Sequence, residues 1–309
     1  MRPLKPARTE QRNPRSRGLD RKSSLEIVRA LNREDAGVAP AVRKVLPQIA
    51  RAVDAIAKSL RAGGTLFYVG AGTSGRLAVL DAAECPPTFG TPARMVRALI
   101  AGGERALRHA VEGAEDSAVH GASDLRRAGL KHGDVVVGVA ASGGTPYVLG
   151  ALEFANRRGA VTVGLTSNPR SLVARRARIS IAPDTGPEAI SGSTRLKAGA
   201  AQKMVLNMLS TAAMVRLGRV YENWMVHVAL TNQKLRRRGA RILEEATGVT
   251  LSAAEHALRR ASHDLPAALV MLKTGASLSD ARRSLAASGG DVRQALAAVG
   301  SHLKPKGRK

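Results

Sequence analysis

Aromatic side chains are nearly missing from this chain: it has one Trp, three Tyr and three Phe among 309 residues. With so few rings there is little on which nucleic-acid bases could stack. Cysteine is reduced to Cys85 alone, which excludes an intramolecular disulfide framework and a cysteine-based metal site. Cys85 stands beside Glu84 and before Pro86-Pro87, with no histidine in a pairing position, so it reads as a small semi-buried residue rather than a nucleophile. His109, His120 and His227 are scattered and make no metal spacing, so no metal is expected. No apolar run is as long as a membrane span, and the charged N-terminus has no hydrophobic leader segment. A cytoplasmic protein without membrane contact is therefore expected.

Acidic residues are also scarce: 24 Asp and Glu face 49 Lys and Arg, a formal charge of +25. Ten of those charges are expected in flexible ends, a net +6 over the Pro/Arg-rich, extended residues 1–22 and +4 over the tail 304–309. The rest are spread through the helices. Such a field attracts polyanions at low salt, but it also draws in any anionic substrate, and a specific nucleic-acid role is not expected.

What is present is organised around Thr65–Gly90. Leu66-Phe67-Tyr68-Val69 has the length of a buried parallel strand. The turn Gly70-Ala71-Gly72-Thr73-Ser74-Gly75 follows and opens a helix, which Pro86-Pro87 are expected to cut short after about Ala83. A strand, a Gly/Ser/Thr turn and a helix N-terminus together make an anion site, with Gly72 letting the backbone approach and Thr73 and Ser74 adding donors. The same glycine spacing fits a dinucleotide fingerprint, but no acid ends the second apolar run, Val96–Ile100, to hold a ribose. A smaller phosphate carrier such as a sugar phosphate fits better.

Upstream, Ser23 and Glu26 form a capping box for a helix to about Asn32, and a second helix is expected over Val38–Arg61. Downstream, strand runs at Val135–Ala140, Val161–Leu165 and Ile179–Ile181 alternate with helical patterns at Glu104–Glu115, Ser117–Ala128, Pro146–Arg158 and Leu172–Arg176. This predicts an α/β fold with a doubly wound, mostly parallel sheet. A second turn, Ala141-Ser142-Gly143-Gly144-Thr145, would share the carboxyl rim of that sheet with Thr73 and Ser74. A third cluster, Ser193-Thr194-Arg195 with Lys197, begins a long apolar helix to about Leu217. Beyond it, a helix over Trp224–Arg238 and short helices broken at Gly248, Pro266, Gly275 and Gly289-Gly290 suggest a small helical C-terminal region. The expected divisions are thus 1–22, 23–62, an α/β domain over 63–220, a helical region over 221–303 and the tail.

Three carboxylates stand out as candidates for acid–base work. Glu84 ends the first βα unit, Glu115 follows the Gly113 break, and Glu188 precedes the third cluster. Position alone does not separate them from solvated surface acids.

The stretches GAGTSGRLAVLDAAECPPTFG, LIAGGERALRHAVEGAEDS, ASGGTPYV and SGSTRLKAGAAQKMVLNMLST together resemble the N-acetylmuramic acid 6-phosphate etherases, a family with a sugar isomerase (SIS) fold. The resemblance runs from Thr9-Glu10-Gln11-Arg12-Asn13 into the C-terminal helices. It implies a lyase that removes D-lactate from the 3-position ether of the sugar phosphate, by elimination from the open-chain aldehyde and then addition of water. No metal or organic cofactor is implied, and a homodimer is. By the resemblance Glu84 is the general acid and water activator, protonated near neutral pH, and Glu115 is the base at C2. Thr73, Ser74, Ser142 and Thr145, with Gly72, Gly143 and Ser193, would hold the phosphate and sugar hydroxyls. Gly144 and Ala200 depart from the usual family residues, as do several positions of 225–234. The rival readings are a non-catalytic sugar-phosphate sensor, an aldose–ketose isomerase using Glu188 as base, and a nucleic-acid module driven by the basic ends.

Overall fold

Five short apolar runs pair into one parallel sheet, and three of them are buried along nearly their whole length, as strands covered by helices on two sides must be. The structure, a computed structural model, describes residues 7–302. In chain order the strands are β1 (Leu66–Gly70), β2 (Val96–Ile100), β3 (Val135–Val139), β4 (Val161–Leu165) and β5 (Ile179–Ile181), arranged β2-β1-β3-β4-β5. Every pairing is parallel, with Gly70 beside Val139 at the shared carboxyl end of β1 and β3. The chain leaves β1 for one side of the sheet and returns to β3 on the other, so the order reverses between these neighbours. In open parallel sheets such a reversal, beyond the carboxyl ends of the strands, is where ligands commonly bind.

The helices of the α/β part are α1 (Ser24–Asp35), α2 (Val38–Arg43), α3 (Leu46–Arg61), α4 (Gly72–Phe89), α5 (Arg105–Arg108), α6 (Ala118–Arg127), α7 (Pro146–Arg157), α8 (Leu172–Arg176) and α9 (Lys197–Arg216). On one face of the sheet Phe67, Val69 and Val136 bury against Leu125 of α6 and Val148 and Leu152 of α7. On the other, the Tyr68 hydroxyl donates to Asp81 of α4 at 2.9 Å, and Asp81 also accepts from Asn207 and Ser210 of α9 at 2.7 and 3.1 Å. α6 and α7 approach through glycine. A Cβ at Gly121 would stand 1.9 Å from the Tyr147 carbonyl oxygen, and one at Gly150 would stand 2.0 Å from that of Ala118.

The remaining helices are α10 (Gln233–Thr247), α11 (Leu251–Arg260), α12 (Leu265–Thr274), α13 (Leu278–Ala287) and α14 (Val292–His302). They close a separate core around Val226, Leu243, Leu258, Leu269 and Val292. Asn232, Thr250, Asp264 and Ser277 cap four of them, and Gly248 and Gly275 end two in the left-handed region. The chain divides into two compact units. One runs up to Ala83 and resumes over Ala93–Thr211; the other combines Glu84–Pro92 with the chain from Ala212 onward.

Several expectations need correction. Pro86 and Pro87 lie inside α4, which continues to Phe89. The two prolines cannot donate to the carbonyls of Ala82 and Ala83, and the change of compact unit falls at that place. The expected single helix over 38–61 is two, because Pro47 opens a new first turn at α3. Over 104–115 only Arg105–Arg108 is α-helical; Gly113 turns left-handed and a 3-10 turn follows at Ala114–Asp116. The apolar run after Trp224 is not helical either. Trp224 bridges to Tyr221, Val226 and Val228 enter the core as irregular chain, and the helix starts only at Gln233 behind the Asn232 cap.

Residues 7–22 are not extended. They form 3-10 turns at Arg8–Glu10, Pro14–Ser16 and Leu19–Arg21, with Thr9 fully buried. Residues 1–6 and the basic tail 304–309 lie outside the described residues.

Gly121→Ala should therefore lower stability by about 1–3 kcal/mol, because its methyl meets backbone that cannot move aside. Urea unfolding checks it, with a lower midpoint at unchanged slope as the expected result.

Candidate functional site

The first turn is tight because its glycines touch. A Cβ at Gly70 would stand 2.8 Å from the Gly75 nitrogen, and one at Gly75 would stand 2.6 Å from Ile100. This lets α4 start directly off β1, with Gly72 at φ +50° and Thr73 half-buried at its head. Ser74 is buried and its hydroxyl donates to Oε1 of Gln202 on α9 at 3.0 Å. The start of α9 packs on the same turn: a Cβ at Gly199 would lie 3.8 Å from the Thr73 methyl.

The second turn sits one strand away. Ser142 Oγ accepts from the Gly144 N–H at 3.4 Å. Gly143, at φ +73°, is pressed against Ser171, whose Oγ would lie 2.2 Å from an added Cβ, and its carbonyl accepts from the Val173 N–H. Thr145 is the N-cap of α7 but makes no side-chain cap bond. Its hydroxyl is thus not spent on the helix it heads.

Glu115 is exposed on the 3-10 turn between Gly113 and Ser117. It shares a cavity of about 190 Å³ with Gly72, Arg76, His109 and Glu112. Arg76 spans this cavity's edge, donating to the carbonyls of Ala106, Leu107 and His109 and so tying α4 to the loop after β2. A wider groove of about 930 Å³, lined by Leu99, Glu104, Glu112 and His120, adjoins the open edge strand β2. The structure therefore gathers Gly72 and Glu115 at one cavity. Glu84 is exposed, lies ten residues beyond Ser74 on α4 and belongs to the other compact unit.

Ser193 stands half-buried in the loop before α9, with its N–H bonded to the Ile190 carbonyl. That loop is held by the N-terminal segment: the Thr9 carbonyl accepts from the Gly192 N–H at 3.2 Å, the Glu10 carbonyl accepts from Ser191 Oγ at 3.1 Å, and Asn13 donates to the Pro187 carbonyl at 3.2 Å. Glu188 is fully buried and does a different job from a base. Its two oxygens accept the N–H groups of Lys197 and Ala198 at 3.0 and 2.9 Å, closing the N-terminus of α9. Burial pushes its carboxyl up, opposed by those two bonds.

Sequence reasoning missed Gln202, Glu34 and Lys197 as a supporting frame. Glu34 of α1 is buried and accepts from Arg15 Nε at 2.6 Å, Lys197 Nζ at 2.6 Å and Asn13 at 2.8 Å. A glutamate late in α1 and a lysine more than 160 residues away carry no shared local signal.

These features can be set beside known proteins. Residues 48–156 match the family model described as the glucokinase regulatory protein N-terminal SIS domain, and residues 116–212 match the SIS domain. The parallel sheet and its rim turns thus form a domain of the SIS class. An N-acetylmuramic acid 6-phosphate etherase of Brucella anthropi is 53% identical over 288 residues, covering 93% of this chain and 94% of its own. One of Serratia proteamaculans is 54% identical over 288 residues, covering 93% and 97%. The chain belongs to the N-acetylmuramic acid 6-phosphate etherase family.

The Glu34 cluster has a pH signature. Arg15 first, then Lys197 and Asn13, hold its carboxyl down to about 2 from 4.5, against the burial that pushes it up. A depressed folded value stabilises above the ordinary carboxylate range, and that stability is lost as pH falls from about 4.5 to about 2. The unfolding free energy measured across that window should fall by on the order of 2 kcal/mol, less than the full shift implies because Arg15 faces solvent. Glu34→Gln should be less stable at pH 7 and lack that part of the slope.

Proposed function

We propose that this chain is a carbon–oxygen lyase that cleaves the D-lactyl ether of N-acetylmuramic acid 6-phosphate, giving N-acetylglucosamine 6-phosphate and D-lactate. The observation that carries this is 53% identity to a named etherase along nearly the full length of both chains. In the open-chain form the proton at C2 is acidified by the neighbouring aldehyde. A base removes it, the C2–C3 double bond forms, and the C3–O bond breaks as an acid protonates the departing lactate oxygen. Water then adds at C3 and a proton returns to C2, so the ether is exchanged for a hydroxyl with no net redox change.

In this reading Glu115 takes the C2 proton, and Glu84 protonates the lactate oxygen and later activates water. Support for Glu115 is its exposed position on a cavity shared with the first anion turn. Glu84 is exposed in the single chain, so the acid role needs cover from water by bound substrate or a second copy. Thr73, Ser74, Ser142, Thr145 and Ser193, with the backbone at Gly72 and Gly143, hold the phosphate and the sugar hydroxyls. The proposal extends to a cytoplasmic homodimer with its sites near the subunit interface, as in the family resemblance. Among the described residues no helix is long and apolar enough to cross a membrane.

The test is release of D-lactate from N-acetylmuramic acid 6-phosphate by the purified chain without added metal or cofactor. Appearance of lactate with N-acetylglucosamine 6-phosphate is expected; its absence rejects the reaction. Glu84→Gln and Glu115→Gln should each lower kcat by about 10²–10⁴-fold and leave binding of the product sugar phosphate within about threefold, about 0.65 kcal/mol. Unchanged turnover in either variant rejects that residue's role. Light scattering should give twice the chain mass.

A further inference from the structure

A hydroxyl can bind a phosphate oxygen only by donating to it, and in this structure the Ser74 proton is already committed. Ser74 Oγ donates to Gln202 Oε1 at 3.0 Å, which leaves the serine with lone pairs to present to an anion. The other end of the same amide is unspent: Gln202 is 1% exposed, and its Nε2 is buried with no hydrogen-bond partner. Buried side-chain donors without partners are uncommon and ask for an explanation.

We infer that Gln202 is a positioning residue for phosphate, whose amide rotates by half a turn about Cγ–Cδ when the sugar phosphate arrives. After rotation Nε2 donates to Ser74 Oγ, and the freed hydroxyl proton turns to a phosphate oxygen. Each orientation makes one bond to Ser74 and leaves one amide atom of Gln202 unpaired, so neither is strongly preferred in the protein alone. The ligand's own bond from Ser74 then decides between them. A residue with a single function, donor only or acceptor only, could not serve both states. The surroundings suit such a switch. Asp81 bonds Asn207 and Ser210 one and two turns further along α9, which keeps the helix fixed while the amide turns. The inference rests on the sugar-phosphate reading of the site and adds a residue to it that does not touch the ligand.

The test is calorimetric binding of N-acetylglucosamine 6-phosphate to the full chain, with KM and kcat for lactate release measured alongside. Gln202→Met removes both functions; about tenfold weaker binding and a similarly raised KM are expected, with kcat within threefold. Because Gln202 acts through Ser74, the double variant Ser74→Ala/Gln202→Met should bind no more weakly than Ser74→Ala. Gln202→Glu keeps a partner for the Ser74 proton but cannot donate to it when ionised. It should melt lower than the wild type, because an ionised carboxyl is buried there, and, where it remains folded at a pH that ionises it, bind at least tenfold more weakly.

Wild-type affinity in Gln202→Met or Gln202→Glu overturns the inference, as does full additivity with Ser74→Ala. A wild-type chain that binds no hexosamine phosphate overturns the reading of the site itself, a distinct result.

Discussion

The buried carboxylate of Asp81 is the point on which the rest of the site depends. It accepts from Tyr68 in β1 and from Asn207 and Ser210 on the long helix α9, while itself standing on α4. A buried carboxylate without donors is far costlier than any single bond it makes, so the arrangement that supplies three is strongly selected. The first strand and helix are thereby held at one spacing to a helix more than 120 residues further along the chain. That spacing puts Gln202 beneath Ser74 and packs the start of α9 onto the first turn.

Around this anchor the rim turns are made of backbone and short side chains. Parallel pairing of β1 with β3 brings two Gly/Ser/Thr turns to one rim, and the touching glycines of the first turn start α4 immediately off its strand. Helix N-termini there supply donors and a favourable dipole without any cation. The high positive charge adds a long-range field but is not what forms the turns. Part of it is structural instead: Arg15 and Lys197 neutralise Glu34, and Arg76 is occupied by three backbone carbonyls.

The two residues proposed for acid–base work are set differently from the rim turns. Glu115 hangs on a short 3-10 turn that Gly113 starts by adopting a left-handed conformation, so its place is decided by a loop. Glu84 rides a helix that two prolines fail to stop. They sit near its C-terminal end, where they leave the Ala82 and Ala83 carbonyls without their i+4 donors and only Thr88 and Phe89 follow within the helix. The helix continues two residues past the prolines, so the expected end at Ala83 falls six residues early.

The sequence by itself determined the strands, the Gly-rich turns and the capping box of the first α-helix. Runs such as Val135-Val136-Val137, the Ser23–Glu26 capping box and the Gly-rich turns are all decided by interactions within a few residues, so they were legible without coordinates. It also carried the long motifs whose order marks the family. Only the tertiary structure decided which residues support those motifs. Glu34 with Lys197, Ser74 with Gln202, and the N-terminal turns against the 187–192 loop pair groups from far along the chain. The 225–230 run was misread for the same reason, since its valines are drawn out of helical geometry into the core of the helical unit. Local periodicity holds no record of such partners, because what selects them is the penalty for burying a polar or apolar group in the wrong surroundings, and that penalty exists only once the chain has folded.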